Sequence, residues 1–219
     1  HSTLRSFVHL LSSTKGSEAE VAAGALRHIA AGSEDLRQAV AGAGAIAPLV
    51  SLLSSSKGDE AEQAASAICH LAAGSMRLRR ELAKAGALSP LVTLLSSSED
   101  SEAEVAVGAL LAITAGSAEM AQAAAEAGAI DPLVGLLSSS ASAGAVAALR
   151  QIADGGDELV QALVDATALA PVVALLPSRD AESADCAAWI LRTVAEAGAE
   201  RAQAVADAGA VIPLVALLA

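Results

Sequence analysis

The 219 residues carry 25 acidic against 13 basic side chains, a net charge of −12, and Trp189 and Phe7 are the only aromatics in a chain that is 54% apolar. That acidity argues against nucleic acid as a partner, because phosphates need a basic face. Mean hydropathy is high at +0.53, yet no apolar run reaches the roughly 18 residues of a membrane span. The nearest, 121–137, is broken by Gln122, Glu126, Gly128, Asp131 and Pro132.

The fifty-seven alanines favour closely packed helices and leave little for a strand. Along the chain, Ser6-Phe7-Val8-His9-Leu10-Leu11 comes first and partly matches a phrase that recurs later. A long helix is predicted over 18–31 and ends at Gly32-Ser33, where glycine can stop one helix and serine cap the next. After a short helix comes Gly44-Ala45-Ile46-Ala47-Pro48-Leu49-Val50-Ser51-Leu52-Leu53, the full phrase. It returns at 86–95, 128–137, 167–176 and 209–218, with Pro48, Pro90, Pro132, Pro171 and Pro213 at its centre. Each proline is expected to open a short helix as its first residue, where a missing N–H costs nothing. Further long helices are predicted over 60–73, 102–115, 143–153 and 182–196.

Repetition at this period marks a helical solenoid whose units are stable only when stacked. The expected units are a partial first repeat 1–43, repeats 44–85, 86–127, 128–166 and 167–208, and a partial last repeat 209–219. Both ends look cut from something longer, so any targeting signal could lie outside the sequence. The fourth unit is shorter: Pro132 and Pro171 stand 39 residues apart, against 42 for the other pairs. Its long helix should lose length at the front, and its loop should lose the acids that Glu99, Asp100, Glu102 and Glu104 supply to the third unit. Acidic residues gather before each long helix and at the start of the next short one. Helix dipoles account for most of that placement, and an acidic edge for a basic partner is the alternative.

The three-helix unit and its Gly-Ala-Ile/Leu-x-Pro-Leu-Val-x-Leu-Leu phrase resemble the armadillo repeat over the whole chain. The resemblance implies an all-α, right-handed superhelical solenoid of about three helices and 42 residues per repeat, a protein-binding scaffold whose third helices line a concave groove. In peptide-binding members the third helix is similar to Trp-Ala-Leu-Ser-Asn-Ile-Ala. Here the asparagine position holds His28, His70, Ala112, Gln151 and Thr193. The tryptophan position holds Gly24, Ser66, Gly108, Ala147 and, once, Trp189. The ladder of asparagines that would clamp a peptide backbone is absent, since alanine neither donates nor accepts. A lysine-rich nuclear-import peptide is therefore a poor match for this groove despite the favourable net charge.

The residues expected to form a partner-binding groove are His28, His70, Arg150, Gln151, Trp189, Arg192 and Thr193. Trp189 is either the interface hot spot, since binding energy concentrates in Trp and Arg, or a packing residue between repeats. Arg27, Arg150 and Arg192 share one column, explained either by a helix C-terminus or by an acidic group of a partner. Arg77, Arg79 and Arg80 form a basic cluster, expected to pair with neighbouring acids. His28 and His70 should lie too far apart to share a metal held at roughly 2 Å. No nucleophile triad, phosphate loop or metal spacing occurs, so no cofactor and no catalysis are expected. Cys69 and Cys186 fall in different units and should be unpaired. With the lack of any Asn-glycosylation signal, that favours an intracellular protein of the cytoplasm or nucleus. The expected function is a non-catalytic scaffold for a protein or peptide partner, with a basic one suited by charge. The alternatives are a structural part of a large assembly or homo-oligomer, and an adaptor region of a larger protein such as a ubiquitin ligase.

Overall fold

The computed structural model describes residues 2–13, 17–55 and 57–216, and among these every regular element is an α-helix. In chain order they are α1 (Ser2–Leu10), α2 (Glu18–Ala30), α3 (Glu34–Gly42), α4 (Ile46–Leu52), α5 (Gly58–Ala72), α6 (Met76–Lys84), α7 (Leu88–Leu95) and α8 (Asp100–Thr114). They continue as α9 (Ala118–Glu126), α10 (Ile130–Leu136), α11 (Ser142–Ala153), α12 (Asp157–Asp165), α13 (Leu169–Val173), α14 (Ala181–Glu196), α15 (Ala199–Asp207) and α16 (Val211–Ala216). They form two compact units, His1–Ile113 and Thr114–Ala219.

In the first unit α2 lies along α5, while α4 and α6 pack against α5. The contact is built from alanine and leucine: Ala22, Ala23, Leu26, Ala61, Ala64, Ala65 and Ile68 are all essentially inaccessible. Small side chains at the crossing let the helix axes approach, and one large apolar residue per turn fills the remaining space. The second unit repeats the plan. Helices α10, α12, α9 and α14 pack against α11, and α13 and α15 pack against α14. Leu149, Ile152, Ile190 and Leu191 are its buried counterparts. Each such leucine contributes about 1.5–3 kcal/mol by leaving water.

The prolines do not open their helices, as the sequence reading expected. In α4, α7, α10, α13 and α16 each sits at the third helical residue. The first intrahelical bond comes one residue later, as with Leu49 N–H to Ala45 C=O at 3.0 Å. A proline anywhere in the first turn removes an N–H that has no partner in the helix. The glycine stops are also more varied than expected. Gly116 turns the chain at φ +64, whereas Gly32 and Gly74 do not use a positive φ. A methyl group on Gly74 would come within 2.7 Å of Glu34 Oε2 and 3.1 Å of the Leu71 carbonyl. Close approach, not conformation, explains that residue.

Ser33 and Ser117 cap α3 and α9 by accepting from the N–H groups of Leu36 and Met120. Ser75 makes no such bond; its hydroxyl accepts from Gln38 Nε2 at 3.2 Å. The fourth repeat's missing residues shorten α11 to 12 residues, against 15 in α5 and α8. Within the basic cluster, Arg77 pairs with Glu81 at 2.8 Å and Arg79 donates to the Ala72 carbonyl at the end of α5. Among the described residues no helix is long and apolar enough to cross a membrane.

Candidate functional site

Each long helix buries the residues on its inner side and leaves one stripe open, at spacings of four, three and one. On α11 that stripe is Ala143, Ala147, Arg150, Gln151 and Asp154; on α14 it includes Glu182, Asp185, Trp189, Arg192 and Thr193. Where α11 and α14 lie side by side, Ala147, Arg150, Gln151, Asp154, Glu182, Cys186 and Trp189 line a cleft of about 380 Å³. The small Ala147 leaves the space, and Trp189 forms one wall.

The Arg150 guanidinium lies over the Trp189 ring, 5.1 Å from its centroid. One of its Nη atoms is 3.8 Å from Cys186 Sγ. The indole quadrupole attracts a cation over its face, so the ring fixes the orientation of an otherwise flexible exposed side chain. Gln151 is fixed differently: the buried Thr114 hydroxyl donates to its Oε1 at 2.6 Å. Three of the expected site residues thus meet in one cleft. The other two on α14 do not line it. Arg192 reaches towards Glu196 at 3.8 Å, an exposed pair of little energetic weight. The Thr193 hydroxyl donates to the Trp189 carbonyl at 2.9 Å, within its own helix.

His28 and His70 occupy the corresponding stripe of α2 and α5 in the first unit. Arg27 Nη and His28 Nε2 are 3.0 Å apart. Burial, then the charges of Arg27, Arg37 and His28, lower the pKa of His70 below the ordinary histidine value. A methyl group on Gly24 would stand 3.4 Å from Gln63 Oε1. Here the stripe carries glycine, serine and a glutamine where the second unit has a tryptophan wall. Cys69 on this stripe is a free, partly buried thiol whose pKa burial raises.

Sequence reasoning did not assign Asp154, Glu182 or Cys186 to the site. Helical spacing could have found them: Asp154 is four residues beyond Arg150, and Cys186 and Glu182 lie three and seven before Trp189.

Paired long helices, each opened by a short proline-bearing helix and showing one polar stripe outward, define an α-solenoid of three-helix repeats. A model of the armadillo/beta-catenin-like repeat matches residues 33–73. A computationally designed armadillo repeat protein for modular peptide recognition is 37% identical over 98% of this chain and 91% of its own, with a TM-score of 0.93. The designed armadillo repeat protein YIII(Dq)4CqI is 37% identical, with the same coverage of both chains and a TM-score of 0.90. A third design, YIII(Dq.V1)4CPAF in complex with peptide (KR)4, is 36% identical over 98% of this chain and 91% of its own, at a TM-score of 0.89. No curated protein matches the sequence. The chain belongs to the armadillo repeat family.

Proposed function

We propose that the chain is a non-catalytic scaffold that binds a partner protein through an extended segment laid across the open stripes of its long helices. The observation that carries this reading is the α11–α14 cleft, where a tryptophan, an arginine held over its ring and a tethered glutamine converge on open space. Interfaces draw their energy from such anchors. The resemblance to designs that recognise peptides supports it. The net charge of −12 suits a partner that is basic overall, by long-range attraction.

The test is selection of random dodecapeptides displayed on phage against the whole chain. Trp189→Ala, checked for native helicity by circular dichroism, is the comparison. Selected peptides should bind the parent and weaken at least tenfold on the variant. Peptides that bind both proteins equally would move the interface off this stripe.

A further inference from the structure

We infer that the α11–α14 cleft is a receptor for a carboxylate, and that the segment it takes is a glutamate or aspartate flanked by basic residues. The inference rests on the peptide-binding reading of the same cleft and specifies its ligand. Two donors face the cleft with their acceptor needs already met or absent. Arg150 has only N–H groups, and among the described residues it forms no ion pair with a carboxylate, although the chain has nearly twice as many acids as bases. Other arginines on these helical surfaces do find one: Arg37 with Glu34, Arg77 with Glu81 and Arg192 with Glu196. Gln151 has its carbonyl oxygen engaged by Thr114, which leaves the amide NH₂ as the end offered to a ligand.

The guanidinium is held over the indole with one Nη near Cys186 Sγ, and its remaining N–H groups have no oxygen acceptor among the described residues. A guanidinium offers paired N–H groups that match a carboxylate. Holding it over the ring also removes part of the entropy that a free arginine would lose on binding. The ligand class follows from what accepts from both groups: an anion with planar oxygens. Asp154 and Glu182 line the same cleft and decide the flanks. They repel a uniformly acidic segment, as does the net charge, and attract lysine or arginine on either side of the acid. The (KR)4 peptide bound by the designed relative has no acidic side chain to accept from a group such as Arg150.

The probe is an octapeptide of alternating lysine and glutamate, labelled with fluorescein, beside its neutral analogue of alternating lysine and glutamine. Anisotropy titration of the whole chain should show the glutamate peptide binding at least tenfold more tightly. Arg150→Gln should erase that preference while leaving the far-ultraviolet circular dichroism unchanged. Quenching of Trp189, the single tryptophan of the chain, should accompany binding of the glutamate peptide to the parent. Equal affinity for both peptides, a preference that survives Arg150→Gln, or no binding of either overturns the inference. The phage selection reports on the broader reading separately. Peptides that depend on Trp189 but lack an acidic residue would leave that reading standing and this one refuted.

Discussion

The first turn of α5 and the first turn of α11 start the same kind of helix in different ways. Before α5, Ser55 donates to Glu60 Oε2 at 2.7 Å, Lys57 Nζ meets Glu60 Oε1 at 2.7 Å, and the Ser55 hydroxyl also accepts the Lys57 N–H. The same serine-to-glutamate bond recurs as Ser13 to Glu18 and Ser97 to Glu102, at 42-residue spacing. Before α11 the acid is gone. Ser139 still accepts a backbone N–H, from Ala141, but donates to the Leu136 carbonyl instead. The open faces differ in parallel: Gly24 beside Gln63 in the first unit, Ala147 beside Trp189 in the second. Beneath both, Leu26 and Leu149 are each 0% exposed. The buried side of the helix fixes the fold, and the loop and stripe are left to vary with little effect on it.

The strongest way to break that comparison is at the core. Leu26→Ala and Leu149→Ala should each cost about 2–5 kcal/mol, the range for a buried leucine whose site cannot fully collapse. Urea unfolding followed by circular dichroism measures both, and Trp189 fluorescence follows the second unit directly. A loss under 1 kcal/mol at either position would mean that the two cores are not equivalent.

Next in size is the acid that α5 has and α11 lacks. Glu60 is 6% exposed, and its hydrogen bonds from Lys57 and then Ser55 hold its pKa below the usual carboxylate value. Glu60→Gln should destabilise by about 1.5 kcal/mol near neutral pH, the scale of a hydrogen bond to a charged group. The sign with pH follows from the depressed pKa. The unfolded chain binds the proton more readily, so the contribution is full above pH about 4.5, the unfolded value, and fades as pH falls through the folded one. Parent and variant should converge in urea midpoint at low pH, and a constant gap from pH 7 to pH 3 would assign the effect to packing.

The long helices were legible in the sequence to within about two residues at each end, because alanine-rich amphipathic segments punctuated by glycine leave one consistent reading. The shortening of α11 was legible too, as arithmetic on the prolines. The serine-to-glutamate bonds were not: both residues stood out as cap-like and acidic, but the pairing depends on how the loop folds back. Of the site, Arg150, Gln151 and Trp189 came from register alone. Arg192 and Thr193 share that register and lie on the same open stripe of α14 but outside the α11–α14 cleft, because register fixes which face a residue occupies and not whether its neighbour across the gap is alanine or tryptophan. Arg192 instead reaches along its own helix to Glu196.

The smallest effect concerns the turn into α13. At Gly44, Gly86, Gly128 and Gly209 the chain enters the proline-bearing helix with φ between +82 and +88. Just after the shortened repeat the same place is Thr167, at φ +54, where a β-branched residue is a conformational outlier. Such strain costs on the order of 1–3 kcal/mol. Thr167 is exposed, so removing its side chain loses little packing. Thr167→Gly should therefore stabilise, but glycine gives back roughly 0.5–1 kcal/mol through the freedom of the unfolded chain. The net gain expected is about 1 kcal/mol. Thr167→Asn separates the two contributions, because asparagine tolerates the left-handed region without glycine's unfolded-state freedom. If strain is the cause, both substitutions raise the thermal midpoint, and the reverse change Gly128→Thr lowers it. A midpoint unmoved by Thr167→Gly and Thr167→Asn alike would show that the chain after the shortened repeat has relaxed around its threonine and that the turn, like the loop before α11, is a variation without cost.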